Sequence, residues 1–295
     1  MKHTLSKDTM NQLLKFQKSE ITEYYIYNKL AEIEKDPHNQ AQLRKIAEEE
    51  RKHYEIWKSY TGVEVQPDKK EIFKYYWITK ILGLTFGLKL MEKGEKNAQE
   101  IYAKIIEEIP EAKTILHEET QHEHAILDLL NEEKLEYVGS MVLGLNDALV
   151  ELTGALAGFT FALQNARLIA LTGLITGISA SFSMAASEYL STKSESNKEE
   201  QQHALKSAVY TGIAYILTVI FLVLPYFIFQ NYYISLVSTL LTAVLIIFLF
   251  NFYISVAKDY SFRQRFFEMT FISLGVAGIS FLIGVVIRLT LGVEI

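Results

Sequence analysis

Glu50-Arg51-Lys52-His53 and Glu119-Thr120-Gln121-His122 repeat one spacing, Glu-x-x-His, within the first half of a 295-residue chain. Residues three apart on a helix share a face, so each motif directs a carboxylate and an imidazole to one point. Oxygen and imidazole donors in that combination suit divalent Fe or Mn and argue against copper. The chain has no cysteine, which excludes disulfides, thiolate zinc sites, Cys nucleophiles and iron–sulfur clusters. A single Glu-x-x-His in a Glu-rich helix is commonplace, and what gives weight to these two is the set of elements that must hold them.

Turn and capping residues divide residues 1–136 into four amphipathic helices, expected near 6–34, 37–60, 69–108 and 110–135. Asp36-Pro37 offers an N-cap followed by Pro at the first helical position, Asp68 with Glu71 has capping-box spacing, and Pro110 supplies the third break. On a 3.6-residue period the apolar stripes read Leu13, Phe16, Glu20, Tyr24, Tyr27, Ala31; then Leu43, Ile46, Ala47, Glu50, His53, Trp57; then Leu84, Leu88, Met91, Glu95, Ala98, Tyr102, Ile105; then Ile115, Leu116, Glu119, His122, Ile126, Leu129. Every stripe is interrupted by one acid, or by one Glu and one His. Ionised groups in an apolar interior must be paired or bind metal, and one Glu from each of two helices plus Glu-x-x-His from the other two is the donor set of a dinuclear carboxylate bundle. Glu50 and Glu119 are expected to bridge two ions, Glu20 and Glu95 to cap one each, and His53 and His122 to complete the sites. Glu23 and Glu92 lie beside the stripes and read as solvated faces, with substitution for Glu20 and Glu95 as the alternative, while Glu123 and His124 fall off the ligand phase. The tyrosines at 24, 25, 27 and 102 read as core residues.

The segments KSEITEYYIY, AEEERKHY, GEKNAQEIY and EETQHEHA resemble the rubrerythrin branch of the ferritin-like superfamily. That resemblance implies a di-iron domain with ligands at Glu20, Glu50, Glu95, Glu119, His53 and His122. Ala98 stands where many rubrerythrins carry a second third-helix Glu, and no Cys-rich electron-delivery domain is present.

The charge distribution divides the chain in two: 21 of its 29 Lys and Arg and 26 of its 35 Asp and Glu fall in residues 1–136. Residues 137–295 carry apolar runs near 137–163, 167–191, 207–229, 232–257 and 267–291, each long enough to cross about 30 Å of hydrocarbon. The architecture expected is all-α, a cytosolic four-helix bundle at 1–136 followed by five transmembrane helices at 137–295. Lys193, Lys198 and Lys206 follow the second span and Lys258, Arg263 and Arg265 the fourth, so the positive-inside rule puts the first domain in the cytoplasm and the C-terminus outside a cell membrane. The first residues are polar and amphipathic, with no cleavable leader expected.

Ionisable groups inside spans are functional candidates, since each costs at least about 2.5–3.5 kcal/mol at mid-bilayer. Asp147 and Glu151 lie one turn apart in the first span, Met184 and Glu188 one turn apart in the second, and together they suggest a cation path. Glu268, at the start of the last span, reads as interfacial. Asn146-Asp147-Ala148 and Ser183-Met184-Ala185 with Glu188-Tyr189 resemble signatures of the vacuolar iron transporter family. That resemblance implies transport roles for Asp147 and Met184, a homodimer with a pore at its two-fold axis, and a ferritin-like domain in place of the family's inserted metal-binding helices. The first expectation is therefore an exporter of Fe2+, with Mn2+ the alternative ion, working by exchange for protons and fed by a dinuclear site that captures, senses or oxidises iron. A membrane-anchored di-iron oxidase or peroxidase without transport is the second. Neither involves nucleic acid.

Overall fold

The computed structural model describes residues 6–91, 106, 108–128, 137–195 and 198–291, and all the secondary structure in them is helical. Two compact units divide the chain, Met1–Asn131 and Glu132–Ile295.

In the first unit, α1 (Lys7–Ile33) starts at Ser6, whose hydroxyl accepts from the Thr9 N–H. α2 (Pro37–Thr61) starts at Asp36, which accepts from the Asn39 N–H with Pro37 directly after it, and ends at Gly62 in the left-handed conformation, φ 66°. α3 (Lys69–Leu82) starts at Asp68, which accepts from the Lys70 and Glu71 N–H groups and takes the Lys18 ammonium on its other oxygen at 2.8 Å. These caps satisfy N–H groups that have no partner within the helix.

The third helix does not run unbroken as the sequence suggests. Gly83, at φ 99° and ψ 159°, ends α3, and a separate helix, α4, is described over 84–91. The apolar pattern continues through Leu84, Leu88 and Met91, so periodicity alone conceals the break, and glycine alone adopts that backbone conformation without strain. Position 95 and the rest of 92–105 lie outside the described residues. α5 spans Glu111–Asp128.

Apolar side chains of this unit collect in two clusters. One contains Ile26, Leu30, Leu43, Ile46, Leu84, Leu88 and Ile126; the other contains Leu13, Phe16, Trp57, Ile109 and Ile115. Glu20, Glu50, His53, Glu119 and His122 occupy the sequence positions between them on α1, α2 and α5. A polar layer is thus bounded by apolar residues on the same helices.

The second unit consists of α6 (Val138–Leu163), α7 (Ala166–Glu195), α8 (Lys198–Ile228), α9 (Tyr232–Ala257) and α10 (Phe262–Leu291). All five contain stretches long and apolar enough to cross a membrane. The core gathers Leu149, Leu152 and Leu156 of α6, Ile169 of α7, Tyr215, Val219, Leu222 and Tyr226 of α8, and Ile247 of α9. With no water in hydrocarbon, backbone groups freed by irregular turns need protein partners. Pro225 interrupts the ladder inside α8, and Thr239 donates to the nearby Leu222 carbonyl at 2.9 Å. α6 contains a π-turn at Ala148–Leu152, and the fully buried Ser273 donates to the Leu149 carbonyl there at 2.7 Å.

Small residues let these helices meet closely. A Cβ at Gly284 would lie 2.5 Å from the Gly158 carbonyl oxygen, and one at Gly144 would lie 2.4 Å from that of Thr211. Gly173 and Gly177 likewise face Leu156 and Val219. The small-residue stripes at 154–158 and 173–177 therefore pack within one chain. Gly284→Ala is expected to lose about 1–3 kcal/mol through overpacking, while Gly275→Ala, where a Cβ meets open space, leaves stability unchanged; thermal unfolding in detergent distinguishes them.

Candidate metal centre

Glu20, Glu50, His53 and Glu119 each present one donor atom, and these atoms lie within 4.8 Å of one another. His53 Nδ1 is 3.1 Å from Glu119 Oε1, 3.5 Å from Glu50 Oε2 and 3.7 Å from Glu20 Oε2. His122 completes the group, with Nδ1 at 3.1 Å from Glu50 Oε1 and 3.7 Å from Glu119 Oε2. The two ring centroids lie 5.8 Å apart, with the planes inclined at 28°. Glu50 and Glu119 each offer one oxygen to each histidine, a two-fold arrangement of donors from α2 and α5.

These contacts are short, yet Glu50 Oε2, His53 Nδ1 and His122 Nδ1 are buried without a hydrogen bond. Buried polar atoms are rarely left unpaired, and three of them in one carboxylate-rich layer suit metal ions that would take them as ligands.

The opposite ring nitrogens are held from outside. His53 Nε2 lies 2.7 Å from Glu118 Oε2, and His122 Nε2 lies 2.8 Å from Glu49 Oε2. An Nε2–H donated to a carboxylate leaves Nδ1 as the ligand atom and fixes the ring, the outer support characteristic of metal-bound histidines. The pairing is crossed: Glu49 of α2 supports the histidine of α5, and Glu118 of α5 supports that of α2. Sequence reasoning missed both, although the signal was present, because each motif is in full Glu-Glu-x-x-His. Trp57 adds a further hold, donating its indole N–H to Glu20 Oε1 at 3.1 Å.

Electrostatics reflect crowding of like charge. Burial pushes the Glu50 carboxyl well above its ordinary range, and the Glu119 charge adds to that. Burial would lower both histidines and raise Glu119, but the mutual attraction wins. His53 is raised by Glu119, Glu20 and Glu50, His122 is raised by Glu119 and Glu49, and Glu119 is brought down to about 2 by the two imidazoles. The shifts of both histidines and Glu50 thus favour binding of protons where a metal would otherwise balance the carboxylates.

Of the other candidates in this unit, Glu23 accepts from the Ser19 hydroxyl at 2.8 Å near the surface and is not among the grouped donors. Glu92 and Glu95 lie outside the described residues, as do the side chains of Glu123 and His124 and all of Tyr102. Tyr27 is buried in the core, whereas Tyr25 is 43% exposed rather than a core residue, since it falls off the α1 stripe.

In the second unit, Asp147 is half-buried directly before the π-turn, and Glu151 within that turn is exposed on the chain surface. The wider turn alters the register between them. Tyr215, fully buried on α8, donates to Glu151 Oε2 at 3.3 Å and also reaches Asp147. Sequence reasoning did not select it, because one Tyr in an apolar span is an ordinary core residue. Glu188 is not part of that group: it accepts from Ser140 at 2.7 Å, and Ser140 precedes Asp147 by seven residues, about 10 Å along the helix. Asp147 and Glu151 thus share Tyr215, while Glu188 has a separate partner in Ser140. Met184 is half-buried and packs against the apolar core. Glu268 is exposed and lines a cavity of about 600 Å³ with Asn146, Asn251, Arg265 and Met269.

Five apolar helices with acids and hydroxyls along them define a multi-pass membrane protein. Residues 138–204 and 196–285 match the model of the VIT family, about half of the chain, and the chain belongs to that family, whose membrane domain marks it as a metal-ion transporter. No curated protein and no solved structure matches it.

Metal entering the first unit must displace protons from His53, His122 and Glu50. Apparent affinity is therefore expected to rise with pH, and titration of the full-length protein with Mn2+ in buffers of different ionisation enthalpy should register net proton release. Glu49→Ala and Glu118→Ala are each expected to weaken Mn2+ binding by about 10–100-fold, read by the same titration.

Proposed function

We propose that this protein exports Fe2+ from the cytoplasm in exchange for protons, with Mn2+ as a competing ion, and that its first unit is a ferritin-like di-iron domain. Among the observations that support this reading, one carries it: the adjacent acids Asp147 and Glu151 lie within an apolar span of a VIT-family domain, next to the Tyr215 hydroxyl. Spans that only anchored a soluble enzyme would gain nothing from acids at that depth.

In this reading Asp147 is the site where cation and proton alternate, Glu151 shares its charge, and Tyr215 orients Glu151. Glu188 and Met184 extend the path along the second span, with the thioether favouring iron over magnesium or calcium. Glu20, Glu50, His53, Glu119 and His122 would hold a dinuclear metal centre, with Glu95 the expected sixth ligand. Metal bound there supplies redox chemistry towards oxygen or peroxide. The residues' own part is to exclude water, to keep both Nδ1 atoms directed inward, and to exchange protons for metal. A homodimer in the cell membrane, with the first unit cytoplasmic, belongs to the same proposal.

Fe2+ flux into proteoliposomes under an imposed pH gradient tests it. Wild type is expected to give proton-dependent flux, Asp147→Asn to abolish it while Mn2+ binding by the first unit persists, and Glu50→Ala/Glu119→Ala to reduce it at low Fe2+. Absence of flux, together with Fe2+ oxidation that requires Glu50 and Glu119, would make the protein an anchored oxidase instead.

A further inference from the structure

The helix α3 is apolar on two sides. Its inner side is occupied: Ile72 and Thr79 are buried, and Ile72 and Tyr75 join the cluster around Leu30 and Leu43. On the other side Phe73 is 67%, Trp77 41% and Ile81 68% exposed. These three follow at four-residue intervals and so form one continuous stripe.

Lysines surround that stripe. Helical geometry puts Lys70 within it and Lys69, Lys74 and Lys80 along its flanks, while Glu71, the acid of this helix, points away. Lys80 Nζ sits 4.9 Å from the Trp77 ring, and Lys29 of α1 sits 5.6 Å from that of neighbouring Tyr76. We propose that α3 is an interfacial anchor that lays Phe73, Trp77 and Ile81 into the headgroup layer of an anionic bilayer surface, with the lysines on lipid phosphates and carboxylates.

Three observations choose a bilayer over other partners. Aromatic and large aliphatic residues ringed by lysine are the composition of helices that lie in a membrane interface, and juxtamembrane lysines are drawn to anionic lipid. A two-fold contact with a second copy would set this lysine collar against its own image, an arrangement of like charges. Finally, the same polypeptide enters its first membrane helix at Val138, ten residues beyond the last residue of α5, Asp128, a chain length that reaches at most about 35 Å. A bilayer surface is therefore present at high effective concentration, and shallow insertion of one short helix suffices for attachment. The inference goes beyond the proposed function and holds whichever ion the protein moves.

The absence of cysteine makes the test direct. A nitroxide on Ile81→Cys in the full chain reports local accessibility, with Val63→Cys, exposed in the loop before α3, as a water-facing control. The protein is compared in detergent, in phosphatidylcholine vesicles and in phosphatidylcholine–phosphatidylserine vesicles. In the anionic vesicles the label at 81 is expected to gain access to oxygen and to lose access to a water-soluble nickel relaxant severalfold, while that at 63 does not change. High salt, or Lys70→Glu/Lys74→Glu/Lys80→Glu, should reverse the effect. Trp77 offers an independent readout, because the other tryptophan, Trp57, is fully buried: its emission should shift to the blue only in anionic vesicles, and Trp77→Phe should remove the shift. Equal accessibility at 81 in all three media would overturn the proposal. So would protection that persists in detergent with efficient cross-linking between copies through Ile81→Cys, which would assign the stripe to a protein interface. Fe2+ flux is measured separately, so its loss does not bear on these outcomes.

Discussion

Carboxylates brought together away from water must share positive charge, and most of the specific features of this protein follow from that constraint. In the first unit Glu20, Glu50 and Glu119 meet within one polar layer, and an isolated charge there would be prohibitively costly. The two histidines sit among these carboxylates, which raise them both, and Glu49 and Glu118 hold the rings so that the inner nitrogens remain available. The caps at Ser6, Asp36 and Asp68, the Trp57 hydrogen bond and the apolar clusters on either side fix the helices that carry those groups.

The membrane unit meets its acids with hydroxyl groups instead. Asp147 and Glu151 lie in a span otherwise suited to hydrocarbon, with Tyr215 beside them and the π-turn between them. A π-turn frees backbone groups, and Ser273 on the last helix answers one of them. Close approach at Gly144, Gly158 and Gly284 is what allows α6 to be supported by both α8 and α10. The placing of these acids therefore rests on hydroxyl and glycine positions that bear no charge themselves.

The two units place their acids differently. The first encloses Glu50 and His53, both fully buried, between two apolar clusters. The second leaves Glu151 exposed and gives Glu188 a partner, Ser140, apart from the one that Glu151 shares with Asp147.

The sequence by itself determined the five apolar spans, the division between a charged and an apolar half, and the two Glu-x-x-His units on their helix faces, because length, composition and the 3.6-residue period are local properties. It also contained Glu49 and Glu118 as plain neighbours of the motif glutamates, but their crossed partnership joins residues on different helices, and no spacing encodes that. Only the tertiary structure decided that Gly83 breaks the third helix, since the apolar period runs through it undisturbed. Tyr215 joins the acids of the first span, Glu188 turns to Ser140 instead, and the small-residue stripes pack within the chain, all through contacts between helices far apart in sequence. The exposed stripe of α3 belongs to both levels: its residues are legible in order, but which of its two apolar sides is buried depends on how α3 packs against its neighbours.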